Sequence, residues 1–326
     1  MRRPLPPPLR LPKPGFGRRT PPALFAPVMG LFGLGLGWRA AADAYGVSAG
    51  VGDLILGAVA LLYVFVLIAW VAKPLRRPGV VLEELRVLPG RAGLAAGSLS
   101  LMLLATALAP LVPSVALGMA LLAFALHLVF VGVLVVVLWR GPPEGRVVTP
   151  VFHLSFVGFI IGGLAANALG YHGAAQALVW AMVIPAGIIY GLSARQLVVQ
   201  IPPAPLRPLL AIHLAPACLL TLVAHGAGLE AAHAFGALAA AIFVALVVSA
   251  RWLVAAGFSA LWGAFTFPLA AFASALIVLS GGQGAMGIAG GVVLVLATLA
   301  IPAITFRIFQ LWPGGKLAAK TNAAEA

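Results

Sequence analysis

The sequence contains few charged residues, and acidic residues are the scarcest. Asp, Glu, Lys and Arg make up 8% of the 326 residues, and only 7 residues are acidic. A soluble domain contains about 25% charged residues. This chain therefore lacks the charges that would cover an ordinary water-exposed surface, and the composition excludes a typical soluble protein.

Cysteine is almost absent as well. The single cysteine, Cys218, lies inside an apolar run. A disulfide within the chain and a paired-cysteine metal site are therefore excluded. We interpret Cys218 as a small buried hydrophobic residue, and the sequence predicts neither a metal site nor a cofactor.

A secretory signal is also missing from the N-terminal segment, MRRPLPPPLRLPKPGFGRRTPP. It is basic and rich in proline, and it has no apolar stretch before Ala23 of the kind that a signal peptide requires. We expect residues 1–22 to form a disordered cytoplasmic tail. Residues 313–326 are expected to form a second cytoplasmic tail, which ends in the disordered segment TNAAEA.

Long apolar runs occupy the rest of the chain, which is 63% hydrophobic with a mean hydropathy of +1.12. A helix that spans a bilayer needs about 20 apolar residues. Ten spans of this kind are predicted between residues 23 and 312: 23–42, 53–72, 92–111, 114–139, 150–169, 173–194, 206–224, 229–250, 258–280 and 285–309. The sequence thus predicts an all-α membrane protein with ten transmembrane helices.

The basic residues lie on one side of this arrangement. When both tails are counted with the basic connectors, 19 of the 20 Lys and Arg residues fall on one side, and only Arg39 does not. Basic connectors face the cytoplasm, so both termini are expected to be cytoplasmic. The same placement argues against a nucleic-acid partner, despite the formal net charge of +13.

The spans pair into five tandem hairpins whose two members differ in composition. First members contain helix-disrupting or small residues, among them Gly30, Pro110, Pro216 and Pro268, whereas second members are longer and more uniformly apolar. Broken helices in a membrane are tolerated where they are buried in protein or line a cavity. We therefore expect the first members to surround a central pore and the second members to face lipid.

Three short segments resemble a known family. ALFAPVMGLFGLGLGWR at 23–39 is similar to the opening helix of the tellurite-resistance/dicarboxylate transporter family, which includes the slow-type anion channel of plant guard cells. HLAPA at 213–217 resembles a motif of the seventh helix, and LWGAFTFPL at 261–269 resembles the ninth helix. The resemblance covers residues 20–312.

The resemblance implies a fold of five tandem hairpins with pseudo-fivefold symmetry, assembled as a homotrimer with one pore per protomer in the bacterial inner membrane. It implies an anion channel or uniporter for small inorganic or organic anions, in contact with membrane lipid. The alternative is a proton-coupled exporter of tellurite, sulfite or C4-dicarboxylates. Coupled transporters commonly use buried acids or histidines; acids are missing from the middle of the spans, which favours the channel, but His153 and His213 leave the alternative open.

By position, the resemblance makes Phe267 the gating phenylalanine of the family. A hydrophobic ring in a pore gates by excluding water, and Pro268 would bend the helix so that the ring points at the axis. The alternative interpretation is that Phe267 packs against protein or lipid. For Phe265 both interpretations remain open.

Further candidates for lining or kinking the pore are Ala26, Gly30, Pro110, His213 and Pro216. Bacterial relatives usually have glycine at the position of Ala26, so its methyl group would narrow the pore. His213 stands where relatives often have a neutral polar residue, which favours a hydrogen-bonding role.

Arg39 is the one basic residue expected on the outer side. It would attract anions to the outer mouth, pair with Asp43 four residues later, or extend along the membrane interface. An enzyme is not expected, because the sequence shows neither a nucleophile with a nearby base nor paired acids.

Overall fold

The computed structural model describes Gly15 and residues 17–326. Most of these residues are helical, and none of them lies in a β-strand, which confirms the predicted all-α class. The other residues, 1–14 and 16, belong to the predicted N-terminal tail and lie outside the described part of the chain.

Ten helices follow one another in the order expected for five hairpins. They are α1 (Phe25–Tyr45), α2 (Gly50–Arg76), α3 (Leu88–Leu108), α4 (Pro113–Arg140), α5 (Ile160–Ala168), α6 (His172–Val199), α7 (Leu214–Gly226), α8 (Ala231–Val248), α9 (Thr266–Ser280) and α10 (Gly284–Gln310). Consecutive helices pair as α1/α2, α3/α4, α5/α6, α7/α8 and α9/α10, and the members of each pair are in contact. Short helices at Val80–Arg86 and Lys316–Thr321 precede α3 and follow α10.

Nine helices in the described part are long and apolar enough to cross a membrane. The fifth predicted span, 150–169, is the exception, because a π-helical turn at His153–Val157 interrupts it before α5 begins. Together these two pieces form only a shorter apolar helix, His153–Ala168. The number of ten spanning helices therefore stays a prediction.

The first member of each hairpin is the inner one, as predicted. In the most apolar stretches of α1, α3, α7 and α9 together with their N-terminal turns, 61% to 72% of the residues are buried. In α2, α4, α6, α8 and α10 the corresponding share is 17% to 33%. Apolar helices that remain so exposed require lipid around them, so the second members form the membrane-facing layer.

The inner helices close into a ring. α1 contacts α3, α3 contacts α5, α5 contacts α7, α7 contacts α9, and α9 returns to α1. Each outer helix also packs against the inner helix of the next hairpin, and α10 closes this second cycle by packing against α1. The contacts are those of a cyclic array of hairpins, and the pseudo-fivefold symmetry itself stays a prediction.

Small residues bring α1 and α9 together where the ring closes. A Cβ atom added at Gly30 would lie 2.2 Å from Thr266 Oγ1, and one added at Gly37 would lie 3.0 Å from Ser274 Oγ. Helices in membranes associate closely through such small residues. Gly30 is therefore a helix-packing residue rather than the pore-lining residue that the sequence suggested.

Several inner helices begin with turns that are not α-helical. A 3₁₀ segment at Ala204–His213 leads into α7, and another at Ala260–Phe265 leads into α9. Pro216 and Pro268 are the third residues of α7 and α9. The first four backbone N–H groups of an α-helix have no partner within it, so a proline at this position removes no hydrogen bond. The two prolines therefore mark helix starts, and the prediction that they break helix interiors is wrong.

Both terminal segments pack against the helical domain where they are described. Leu317 of the C-terminal helix is fully buried. The backbone N–H of Ala326 donates to the Arg18 carbonyl at 3.3 Å, and Arg19 forms an ion pair with Glu325 at 3.0 Å. The end of the chain thus contacts the helical domain through a small apolar face and paired charges, and the predicted disorder of the segment TNAAEA stays a prediction.

A buried ion pair fixes the approach to α1. Lys73 at the end of α2 pairs with Glu84, and both side chains are fully buried. Lys73 Nζ also donates to the Thr20 carbonyl at 2.9 Å, and Trp70 Nε1 donates to Glu84 Oε2 at 3.0 Å. Burial raises the pKa of Glu84, while Lys73 and Trp70 act in the opposite direction. The pair thus joins the segment before α1 to the connector before α3.

Candidate functional site

A cavity lies at the centre of the ring of inner helices. Its lining includes at least one residue from each hairpin: Ala26, Ala96, Leu154, Ala215 and Phe267. A space that all five inner segments border can only lie on the axis of the ring. We call it the central cavity.

The central cavity is small, apolar and free of charged side chains. Its volume is about 50 Å³, which leaves room for a few water molecules and excludes an anion with its hydration shell. Thr321 of the C-terminal helix is a further lining residue, and its hydroxyl group already donates to the Leu317 carbonyl at 2.8 Å. The space at the centre of the ring is therefore narrow.

Phe267 borders the central cavity and packs against α1. Its side chain is buried, with 5% of the residue exposed. A Cβ atom added at Gly33 would lie 3.0 Å from Phe267 Cδ2 and 3.2 Å from Ala270 Cβ. The ring thus lies against the bare backbone of Gly33, a contact that sequence reasoning did not identify.

Ala26 and Pro268 also line the central cavity, and their role in a pore stays a prediction. Ala26 lies near the 3₁₀ segment before α9, since a Cβ atom added at Gly263 would lie 3.3 Å from the Ala26 methyl group. Narrowing by this methyl group stays a prediction.

Phe265 does not line the central cavity. It borders a separate apolar groove with Phe243, Leu246 and Leu269, and Pro268 borders both spaces. The Phe265 ring contacts Trp262 edge-on, with ring centroids 5.8 Å apart. Because the backbone changes from 3₁₀ to α-helical at this junction, two phenylalanines only two residues apart border different spaces.

Two prolines predicted to line the pore occupy other places. Helix α3 ends at Leu108, and Pro110 lies in the exposed turn that follows it, so Pro110 is not a pore kink. Pro216 borders a second, smaller cavity that it shares with His153 and Leu99. The structure therefore places Pro216 beside the central cavity and Pro110 at the surface.

His213 forms a pair with His153, and it is not among the residues that line the central cavity. His153 Nε2 lies 3.0 Å from His213 Nδ1, and the Tyr190 hydroxyl group donates to the His213 carbonyl at 2.7 Å. His213 was expected to form a hydrogen bond, and the partner in the structure is His153, which lies 60 positions away in sequence. Spacing alone gave no signal for this pair.

His127 has a structural environment. Its Nδ1 lies 2.8 Å from Ser98 Oγ and its Nε2 lies 3.0 Å from the Ser155 carbonyl. Both ring nitrogens therefore have partners, and the residue is fully buried. His127 links hairpins two and three.

Arg39 has a different partner from the one predicted. Its Nε donates to Asp53 Oδ1 at 2.7 Å, and its Nη1 donates to the Ala107 carbonyl at 2.7 Å. The expected pair with Asp43 is wrong, because the first turn of α2 brings Asp53 to the guanidinium group. Arg39 thus joins α1, α2 and the end of α3.

Metal chemistry finds no support in the described part of the chain, where no group of three or more His, Cys, Asp and Glu residues could hold a metal ion. Cys218 is buried.

A closed ring of inner helices, an uncharged cavity on its axis and an outer layer of exposed apolar helices define a multi-pass membrane channel or transporter. The family model described as voltage-dependent anion channel (SLAC1) matches residues 19–308, so the chain belongs to this family. The comparison with curated proteins gives no match. The match confirms the resemblance drawn from the sequence and supports anion channel or transporter activity in general.

Proposed function

We propose that this protein conducts small anions through the central cavity and that the Phe267 ring closes the route. The supporting observation is that Phe267 borders a cavity to which all five inner segments contribute. A hydrophobic ring in such a constriction excludes water, and an ion that cannot keep its hydration does not pass.

The electrostatic surroundings suit anions better than cations. No carboxylate lines the central cavity. Phe25, Leu214 and Thr266 begin α1, α7 and α9, and the first turns of these helices border the cavity, which places the positive ends of three helix dipoles beside it. An anion would therefore meet no repulsive charge in the constriction.

Selectivity in this mechanism depends on size and dehydration. The lining offers the anion no side chain that forms an ion pair, and conduction requires binding weak enough for release. Small anions that lose water readily should pass faster than larger or more strongly hydrated ones.

The decisive experiment compares Phe267→Ala with wild type in planar bilayers or vesicles, using chloride, nitrate, sulfite and malate. Phe265→Ala is the matched control, because it removes the same side chain from the same segment but from a different space. We expect Phe267→Ala to raise anion current and Phe265→Ala to leave it near the wild-type level. Equal currents from all three proteins would show that Phe267 is not the gate.

We further propose a setting for this activity. The family resemblance supports a homotrimer in a bacterial inner membrane, and the basic connectors support cytoplasmic termini. A role with tellurite is part of the alternative function. Proteolysis of oriented vesicles and mass measurement of the detergent-solubilised protein test the topology and the trimer.

The alternative function is proton-coupled anion export. The observation that favours it is the buried His153–His213 pair, whose His153 borders the small cavity next to the central one. A reversal potential that follows the anion gradient alone, with no dependence on pH, would exclude this alternative.

A further inference from the structure

A further cavity lies where two basic connectors meet the inner helices. Its volume is about 270 Å³, and its lining comes from the start of α3, the segment before the π-helical turn, the end of α6 and the 3₁₀ segment before α7. Four side chains with hydrogen-bonding groups border it: Thr149, Ser193, Gln196 and Gln200. No charged side chain is among the described residues that line it. We call this space the polar cavity.

Two hydroxyl groups that border the polar cavity have no hydrogen-bond partner. Ser193 Oγ and Thr149 Oγ1 are buried and form no hydrogen bond with any described residue, and Ser193 as a whole is only 5% exposed. A serine in a helix can donate to the carbonyl four residues earlier, as Ser274 does at 3.0 Å, but Ser193 does not. Burying a hydroxyl group without a partner costs free energy, so both groups are available to a molecule that enters the cavity.

Helix α6 turns a polar face towards this cavity. Ser193, Gln196 and Gln200 are three and four residues apart, which places them on one face of the helix, and all three border the polar cavity. Most of α6 is apolar and belongs to the membrane-facing layer. Polar side chains in membrane helices face the protein interior or a water-filled cavity. The polar face therefore indicates a space for water or for a ligand that forms hydrogen bonds.

The charges around the polar cavity favour an anion as this ligand. Arg146, Arg195 and Arg207 are each adjacent in sequence to a residue of its lining. Glu144 is the one acidic residue within the bordering segments 141–150 and 193–210. An excess of positive charge raises the local concentration of anions, and hydroxyl and amide groups can donate hydrogen bonds to them. Such neutral donors hold an anion weakly, as conduction requires.

The polar cavity adjoins the central cavity at Leu209, the residue that borders both spaces. Leu209 packs with Val151 and Ile212 in a small apolar cluster that is separate from the main core. Leu88 borders the polar cavity and packs against the same cluster, whereas Ile212 lines the central cavity. An anion that moved between the two cavities would therefore pass apolar side chains and lose water there.

We propose that the polar cavity binds the transported anion before it enters the central cavity. The hydroxyl groups of Ser193 and Thr149 donate to the anion, and the amide groups of Gln196 and Gln200 replace part of its hydration shell. The ligand is a small anion that accepts hydrogen bonds, such as chloride or a short carboxylate. This inference rests on the proposed anion route and adds to it a loading site at the end where the basic connectors lie.

The first experiment measures binding without transport. The melting temperature of the full-length protein in detergent is followed while chloride replaces lactobionate, a bulky anion that keeps the ionic strength constant. A ligand that binds the folded state raises the melting temperature, and we expect a saturable rise for wild type. Ser193→Ala and Thr149→Val should each need about tenfold more chloride for the same rise, because a hydrogen bond to a charged group contributes at least about that factor to affinity.

Ser100→Ala is the matched control for these variants. Ser100 Oγ is also buried and without a partner among the described residues, but Ser100 does not line the polar cavity. Its chloride dependence should equal that of wild type, and a shift as large as that of Ser193→Ala would overturn the proposal. Thr149→Val keeps the shape of the side chain while removing the hydroxyl group, so the test remains valid if Ser193→Ala does not fold.

The second experiment measures transport in planar bilayers, with chloride raised on one side at a time. Phe267→Ala serves as the background, because the proposed gate is then absent. Adding Ser193→Ala should raise the half-saturating chloride concentration by about tenfold on one side of the membrane only, without lowering the maximal current. A lower maximal current with unchanged half-saturation would indicate a packing defect and would contradict the loading site.

The outcomes separate this inference from the proposed function. Equal chloride dependence of melting in wild type, Ser193→Ala and Thr149→Val would overturn the loading site and leave the anion route intact. Stabilisation by added anionic phospholipid, with none by chloride, would assign the polar cavity to a lipid and would also overturn it. If chloride binding shows the expected shifts but Phe267→Ala carries no current, the proposed route fails and the anion-binding site stands without a transport role.

Discussion

The aromatic ring of Phe267 lies against the backbone of Gly33, at a point where even a methyl group on Gly33 would come within 3.0 Å of the ring. The two residues belong to the first and last inner helices, and their contact closes the ring of hairpins. The position of the proposed gate therefore depends on a glycine in another hairpin.

Gly33→Ala should displace the Phe267 ring and raise anion flux. The added methyl group occupies the space in which the ring now lies, and Ala270 closes the other side at 3.2 Å. The flux assay used for Phe267→Ala measures the effect. The double variant should conduct no more than Phe267→Ala alone, because the displaced ring is then absent.

Gly37→Ala is the matched control for this prediction. Its methyl group would be equally crowded, 3.0 Å from Ser274 Oγ, but Gly37 lies about one helical turn after Gly33 and Phe267 is not among the neighbours of that methyl group. We expect a lower melting temperature with little change in flux. Equal flux increases in both glycine variants would attribute the effect to loosened packing between α1 and α9.

Glu84→Gln should destabilise the protein strongly. It would leave the fully buried Lys73 without its carboxylate partner, and breaking a buried ion pair by removing one partner costs about 3–5 kcal/mol. Thermal unfolding in detergent measures the change. Glu83→Gln is the neighbouring control, because Glu83 pairs with Arg77 at an exposed site. This substitution should have little effect on stability. Similar losses of stability in both variants would contradict the assigned role of burial.

Asp53→Asn should increase anion flux at low ionic strength. Asp53 accepts a hydrogen bond from Arg39 at 2.7 Å, so its replacement leaves the positive charge of Arg39 without its counter-charge at the proposed outer mouth. Salt screens exposed charges over about 10 Å at 0.1 M, and the increase should therefore fade as salt is added.

The control for that prediction is Asp43→Asn. It removes an acidic residue from the same end of α1 that has no ion pair with Arg39 in the structure. A smaller increase than that of Asp53→Asn is expected. If the two variants behave alike, the ion pair has no specific influence on the outer mouth.

Removal of residues 316–326 should widen access to the central cavity. Thr321 borders the cavity, and Leu317 and Ala318 anchor its short helix in buried positions. Single-channel or vesicle flux should rise relative to wild type. Glu325→Gln, which breaks only the ion pair with Arg19, should change the flux much less.

Individual residues show which parts of the site could be predicted from the sequence. Ala26, Phe267 and Pro268 were selected from local segments, and all three line the central cavity. Phe265 and Pro110 were predicted on the same basis, but Phe265 borders a separate groove and Pro110 lies in an exposed turn. The difference arises because a shift of one or two residues in where a helix begins or ends changes the surroundings of a side chain. Composition does not define helix ends that closely.

Contacts between residues that are distant in the chain could not be predicted from the sequence. His153 meets His213 across 60 positions and Arg39 meets Asp53 across 14. Both pairs depend on how neighbouring helices are rotated against each other. A hydropathy pattern records which residues avoid water, and it contains no information about that rotation.

The sequence by itself determined that the chain is a helical membrane protein and that the first member of each hairpin lies inside and the second member outside. It also indicated the family. The helical class and the inner and outer positions follow from local composition, because lipid solvates long apolar helices and tolerates broken ones only where protein covers them. The family followed from the resemblance of three short motifs. The tertiary structure alone decided that the inner helices close into a ring, that Gly33 receives the Phe267 ring, and that two histidines meet beside the cavity. Such contacts depend on side-chain shape and helix rotation across the whole fold, which no single segment of the chain specifies.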